Sequence, residues 1–275
     1  MRRGIAAVAG CRIEGVESPR SKLRPLQIRP ALPALRRRLV GRRIEAVDRI
    51  GKRVVLILDS GDRLIIEPRM TGRVLLADPP NRSHLRLVIR LDGGPGQLLF
   101  WDVRGLGVVS LVAPQEFVER LGPQKLGPDA LSIVAEELRT RMASSRRAIK
   151  VALLDQRALV GIGNLYASEI LHRAGIHPAV ACNRLRRDQW NTLHAQIREV
   201  LAEAIDCQGS TLSDGTYGTP SGTAGEFQEH HRVYQRAGLP CTSCGKTAIV
   251  RIVQAQRSTF FCPACQPPRR SARST

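Results

Sequence analysis

Four cysteines near the end of the chain, Cys241-x-x-Cys244 and Cys262-x-x-Cys265 with seventeen residues between the pairs, restrict the folding of this polypeptide more than any other feature. Thiolates presented on two tight turns converge into the tetrahedral cage that a structural Zn²⁺ prefers, and this spacing lies within the range for such a site. One structural zinc is therefore expected. Between the knuckles, Ala248, Val250 and Ile252 alternate with other residues ahead of Gln254-Ala-Gln-Arg257-Ser-Thr-Phe-Phe, the pattern of a β-hairpin. A metal-held hairpin is rigid, and Arg257 on it is well placed to act on a partner.

The charge says what kind of partner. Lys and Arg number 43 against 24 Asp and Glu in 275 residues, a formal net charge of +19 that points to a polyanion, with nucleic acid foremost. No apolar run of about 18 residues exists, and the N-terminus lacks the plan of a signal peptide, so neither membrane insertion nor export is expected. The remaining cysteines, Cys11, Cys182 and Cys207, are odd in number and scattered. Free thiols beside a thiolate metal site suit a reducing cytosol, and these three read as small buried hydrophobes.

From Cys11 to Val112 short β-type runs succeed one another, among them Ile44 to Ile50, Arg63 to Glu67 and Gln97 to Trp101, separated by turns such as Ser60-Gly61-Asp62. Beyond Pro114 the apolar spacing becomes helical, with segments over Pro114 to Leu121, Pro128 to Met142, Ser145 to Gln156, Asn164 to Ala174 and Leu185 to Ile205. A Gly/Ser/Thr-rich stretch from Gly209 to Gly225 reads as a mobile loop, and Pro267 to Thr275 as a basic, disordered tail. The resulting division of an α+β chain is a β domain over 1–113, a helical domain over 114–208, a loop region over 209–234, a zinc finger over 235–266 and a tail over 267–275.

Within the helical part, Gly161-Ile-Gly163-Asn164 ends one helix and starts another, with Asn164 as the cap and free N–H groups able to receive a phosphate. From the residues alone a plain helix-turn-helix link fits as well. Lys150 can equally be an exposed helix lysine, Lys52 a strand-start lysine, and Met70 and Leu106 core residues.

The run RRAIKVALLDQRALVGIGNLYASEILHRAGIHP (146–178), the motif QAQRSTFFC (254–262) and the four cysteines resemble the formamidopyrimidine-DNA glycosylases and their endonuclease VIII relatives, in order and spacing, over nearly the whole chain. The resemblance implies an N-terminal β-sandwich, a helix-two-turn-helix domain and a C-terminal zinc finger. It implies a monomer that grips double-stranded DNA carrying oxidised or abasic sites, acting in the cytoplasm on the nucleoid. The length of the 210–234 segment, with Asp214, Gly215, Glu226 and Phe227, favours the formamidopyrimidine branch, whose loop closes over an oxidised purine.

Such an enzyme must rotate a damaged base out of the stack, which calls for phosphate clamps, a wedge and a pocket. By the resemblance Lys150, Asn164, Arg82 and Arg257 contact DNA, and Arg257 also serves the reacting site. Met70 in EPRMTG enters the duplex, while Arg104 and Leu106 in DVRGLG complete the wedge. Two departures stand out: Leu106 replaces an aromatic, and Glu67 replaces the usual histidine. Lys52 in GKRVVL matches a hairpin lysine near the sugar and is an electrostatic or proton-transfer partner.

The family's nucleophile is an N-terminal proline followed by glutamate, whose amine attacks the sugar C1′. This chain opens Met1-Arg2-Arg3-Gly4, which aligns within the family's first helix, after the proline and glutamate. The expectation is a start placed at an internal methionine, and a 275-residue polypeptide that is itself inert. The function implied is excision of oxidised purines, 8-oxoguanine and formamidopyrimidines, with AP lyase activity. The alternatives are a non-catalytic binder of damaged DNA, an endonuclease VIII-like enzyme for oxidised pyrimidines, and a zinc-ribbon protein that contacts RNA or the transcription apparatus.

Overall fold

The computed structural model describes residues 1–20, 23–212, 215 and 217–268. The chain forms two compact units, one of Met1–Gln124 with Cys207–Gln228, the other of Lys125–Asp206 with the chain from Glu229 onward.

The first unit is a β-sandwich. Its strands are β1 (Arg12–Glu17), β2 (Gln27–Arg29), β3 (Ile44–Ile50), β4 (Arg53–Leu58), β5 (Arg63–Glu67), β6 (Gly72–Leu75), β7 (Leu85–Asp92), β8 (Gln97–Asp102) and β9 (Val108–Val112). One sheet has the order β1-β7-β8-β6 and the other β2-β9-β5-β4-β3. Side chains alternate across a strand, so Leu87, Ile89 and Leu91 of β7 meet Leu56 and Leu58 of β4 and Leu64 and Ile66 of β5 in one core. Helix α1 (Leu32–Leu39) adds Leu35 and Leu39 to it.

Strands β4, β5 and β9 are apolar on both faces because the second face is also covered. Val55, Ile65 and Val112 pack with Phe117 and Leu121 of helix α2 (Pro114–Leu121). Most strands fall where alternation predicts them. Strand β2 was not foreseen, since its three residues are too few to show a period and it is held by parallel pairing to β9.

The stretch expected to be a mobile loop is packed in its described residues. Leu76 N–H donates to Pro220 O at 2.8 Å, Tyr217 Oη to Gln208 O at 2.7 Å, and the Arg73 guanidinium to Gly215 O. A Cβ on Gly225 would lie 2.3 Å from Gly209 O. Glycine here permits close backbone approach, which composition cannot distinguish from mobility. Asp214 and the tail from 269 lie outside the described residues.

The second unit contains α3 (Ala135–Met142), α4 (Ile149–Leu153), α5 (Asn164–Arg173), α6 (Arg187–Asp206) and the hairpin β10 (Val250–Gln254) with β11 (Arg257–Phe261). Trp190, Leu193, Ile197, Val200 and Leu201 of α6 recur every three or four residues and are buried, as the helical pattern requires. Two helices are shorter than their periodicity suggests. Asp129 Oδ1 accepts the Leu131 N–H at 3.0 Å and Asp129 bridges Val160, so 128–134 turns instead of coiling. Ile149 N–H goes to Val180 O at 2.7 Å, which starts α4 late. Among the described residues no helix is long and apolar enough to cross a membrane.

Candidate nucleic-acid interface and metal centre

The four cysteine Sγ atoms all lie within 4.8 Å of one another. Cys241 and Cys265 are 3.8 Å apart, and Cys244 and Cys262 3.7 Å. A tetrahedron with Zn–S bonds of about 2.3 Å has edges of about 3.8 Å, so the spacing fits the ion. Burial pushes the Cys262 thiol up, but hydrogen bonds from Thr247 Oγ1 at 3.2 Å and Cys265 N–H at 3.4 Å outweigh it and bring the pKa to about 6. That donor set favours a thiolate ligand. His172 of α5 places Nε2 3.6 Å from Cys241 Sγ, and burial, with nearby Arg232 and Arg173, lowers its pKa to about 4. These cysteines hold one structural zinc. Of the other three, Cys11 and Cys182 are buried as expected, and Cys207 is half-buried.

The metal anchors a hairpin whose turn is Ala255-Gln256, with φ of 46° and 60°. A two-residue hairpin needs such left-handed residues to match the twist of its strands, yet neither is glycine, at a cost of about 1 kcal/mol each. Arg257 follows at once and is exposed.

Lys150 lies beneath this hairpin, only 1% exposed. Its Nζ donates to Asn164 Oδ1 at 2.8 Å, Ser258 O at 2.9 Å and Thr259 Oγ1 at 2.7 Å. Asn164 Nδ2 donates to the same Ser258 carbonyl at 2.9 Å. Burial and the charge of Arg257 lower the Lys150 pKa to about 8. Lys150, Asn164 and the base of Arg257 are thus brought together, although they lie far apart in sequence.

Gly163, not Asn164, is the N-cap of α5, because the Asn164 side chain is turned toward Lys150 and Ser258. The helix start therefore has no side-chain cap from Gly163, and its positive end lies beside Lys150 and Ser258. The turn before it, with Gly161 at φ 112°, is clasped by Gln156: Oε1 accepts the Gly161 N–H at 3.0 Å, and Nε2 donates to Ile162 O at 3.2 Å.

In the β unit, Asp102 organises the segments that carry Met70, Arg104 and Leu106. Fully buried, it accepts Thr71 Oγ1 at 2.5 Å and Arg104 N–H at 3.2 Å through Oδ1, and Gly107 N–H at 2.8 Å through Oδ2. Arg86 supports the same loop by donating to Asp102 O at 2.8 Å and Val103 O at 3.3 Å. One buried carboxylate thereby joins the turn bearing Met70 to the loop bearing Arg104 and Leu106. Met70 is 67% exposed, Arg104 is exposed and Leu106 half-buried, so Met70 is not a core residue.

Lys52 is exposed in the turn between β3 and β4, and Arg82 is exposed between β6 and β7. Phe227 is buried, and Glu226 N–H donates to Cys207 O at 2.8 Å. Sequence reasoning passed over Asp102, Gln156 and Arg69. Their only local signal is position: each adjoins or lies inside a motif already singled out.

Comparison with known proteins gives a consistent result along the chain. The profile of the formamidopyrimidine-DNA glycosylase N-terminal domain matches residues 1–109, that of the formamidopyrimidine-DNA glycosylase H2TH domain residues 126–216, and that of the zinc finger found in FPG and IleRS residues 238–268. A formamidopyrimidine-DNA glycosylase of Chloroflexus aggregans is 45% identical, over 88% of this chain and 87% of its own length. That of Bacillus subtilis is 40% identical, covering 86% of each. Among solved structures, the Lactococcus lactis Fpg in complex with abasic-site DNA superposes with a TM-score of 0.84 at 30% identity, covering 97% of each chain. The Thermus thermophilus MutM (Fpg) protein gives 0.81 at 38% identity, covering 94% of this chain and 92% of that one.

Proposed function

The chain belongs to the formamidopyrimidine-DNA glycosylase family, and on that premise we propose that it is a base-excision-repair glycosylase that removes oxidised purines from duplex DNA and cleaves the abasic site. The observation that carries this reading is the Lys150 knot. By holding Asn164 and the Ser258 carbonyl with one ammonium, it presents the N-terminus of α5 and the Arg257 guanidinium from a single rigid body. Both are donors matched to DNA phosphate. Lys150 acts through these neighbours.

In the β unit, Met70 fills the space left by the extruded base, Leu106 parts the base step with a smaller surface than an aromatic, and Arg104 pairs with the base left behind. Arg82 adds a phosphate contact, and Lys52 supplies charge or a proton near the sugar. The 209–234 segment covers the flipped purine, and the protein acts as a monomer. The bond-breaking step uses a secondary amine at an N-terminal Pro-Glu.

Borohydride trapping on a duplex bearing 8-oxoguanine tests the reading, using the 275-residue chain and a version extended by the family's Pro-Glu start. A covalent adduct is expected with the protein that carries Pro-Glu. Tight binding by both with no adduct from either would instead mark a non-catalytic binder.

A further inference from the structure

Arg69, directly before the exposed Met70, has a φ of 58°, in the left-handed region that favours glycine. A long side chain there costs about 1 kcal/mol relative to an ordinary conformation, and such outliers persist where the surroundings over-determine them. Here they do. Gly72 N–H donates to Pro68 O at 2.9 Å, closing the turn, and Thr71 is tied to buried Asp102. The backbone that presents Met70 thus dictates the conformation of Arg69.

The side chain is equally placed. Arg69 Nη2 lies 3.3 Å from Glu67 Oε2, and Arg53 Nε lies 3.2 Å from the same oxygen. The Arg69 side chain is 54% exposed, against 20% for Arg53 and 17% for Glu67. Two guanidinium groups share one carboxylate oxygen, and only Arg69 is open to solvent. An exposed ion pair of this kind contributes about 1 kcal/mol or less, so Arg69 can leave while Arg53 keeps Glu67 paired.

We propose that Arg69 is a further DNA-contacting residue, a guanidinium that rests on Glu67 and transfers to a backbone phosphate beside the Met70 wedge. This rests on the functional reading above. A phosphate offers the guanidinium two acceptors in matching geometry and releases a condensed counterion, which exchange with Glu67 alone does not.

The test is the salt dependence of binding by the zinc-loaded 275-residue chain to duplexes with and without an abasic-site analogue, together with thermal unfolding. Arg69→Gly relieves the backbone but adds glycine entropy and loses the Glu67 ion pair, so its unfolding temperature should stay close to wild type while it binds the abasic-site duplex about five- to tenfold more weakly, with the slope of log K against log salt reduced by about one. Arg69→Lys should retain the slope. If wild type fails to prefer the abasic-site duplex over intact duplex, the functional reading fails. If wild type shows that preference but Arg69→Gly keeps affinity and slope, the Arg69 assignment alone is overturned.

Discussion

Lys150 Nζ donates to the carbonyl oxygen of Ser258 at 2.9 Å, across 108 residues of sequence. The contact links the helix before the glycine turn to the hairpin that carries Arg257. A buried ammonium with three protein acceptors is a clamp, because without it Asn164 Oδ1 and Thr259 Oγ1 lose its hydrogen bonds and only Asn164 Nδ2 still reaches the Ser258 carbonyl.

Lys150→Met keeps much of the apolar stem and removes the clamp. It should lower stability by about 2–3 kcal/mol, the scale of losing hydrogen bonds to a buried charge, and weaken binding to abasic-site duplex. Denaturant unfolding and a binding titration check this together. Unchanged stability would mean that the three acceptors find other partners.

The same lysine predicts a pH effect. Its pKa is about 8 against an ordinary 10.5, so between these values the unfolded chain holds more protons than the folded one. Its linkage contribution to stability is therefore present above about 10.5 and is lost as pH falls through about 8. Phosphate binding runs the other way, since the cation beside Arg257 disappears as pH rises through about 8. Affinity for abasic-site duplex should drop more steeply from about pH 7 to 9 in wild type than in Lys150→Met. Parallel profiles would refute the assignment.

Gln256→Gly places a permissive residue at φ 60° in the hairpin turn. Stability should rise by up to about 0.5 kcal/mol, the relief of left-handed strain less the entropy of glycine. A lower unfolding temperature would show that the Gln256 side chain holds the turn by a contact that outweighs its strain.

Asp102→Asn retains an acceptor for Thr71 but turns an amide toward the Gly107 N–H, which accepted geometry now pairs at 2.8 Å. A loss of about 1–3 kcal/mol is expected, with weaker lesion binding as the Met70 and Arg104 loops separate. Asp102 touches no phosphate in this reading, so the salt slope should stay unchanged. A changed slope would place it in the contact surface itself.

Much of this architecture was legible in the chain. Alternation of Leu87, Ile89 and Leu91 in β7 and three- and four-residue spacing in Trp190–Leu201 are local consequences of burying one face, and the cysteine pairs carry their ligand geometry in their spacing. The candidate site was legible only as separate motifs. Nothing around Lys150 distinguishes a clamp from a solvated lysine, because its acceptors lie on the turn of α5 and on β11.

The sequence by itself determined the zinc cage, the β and helical segments and the motifs that mark the family, all set by neighbours within a few residues. Only the tertiary structure decided that the described residues of 209–225 pack on the β unit, that Asp102 couples Met70 to Arg104, and that Arg69 is held left-handed against Glu67. Those outcomes depend on which buried donors and acceptors meet across long separations, and burial makes each such pairing obligatory without leaving a periodic trace in the chain.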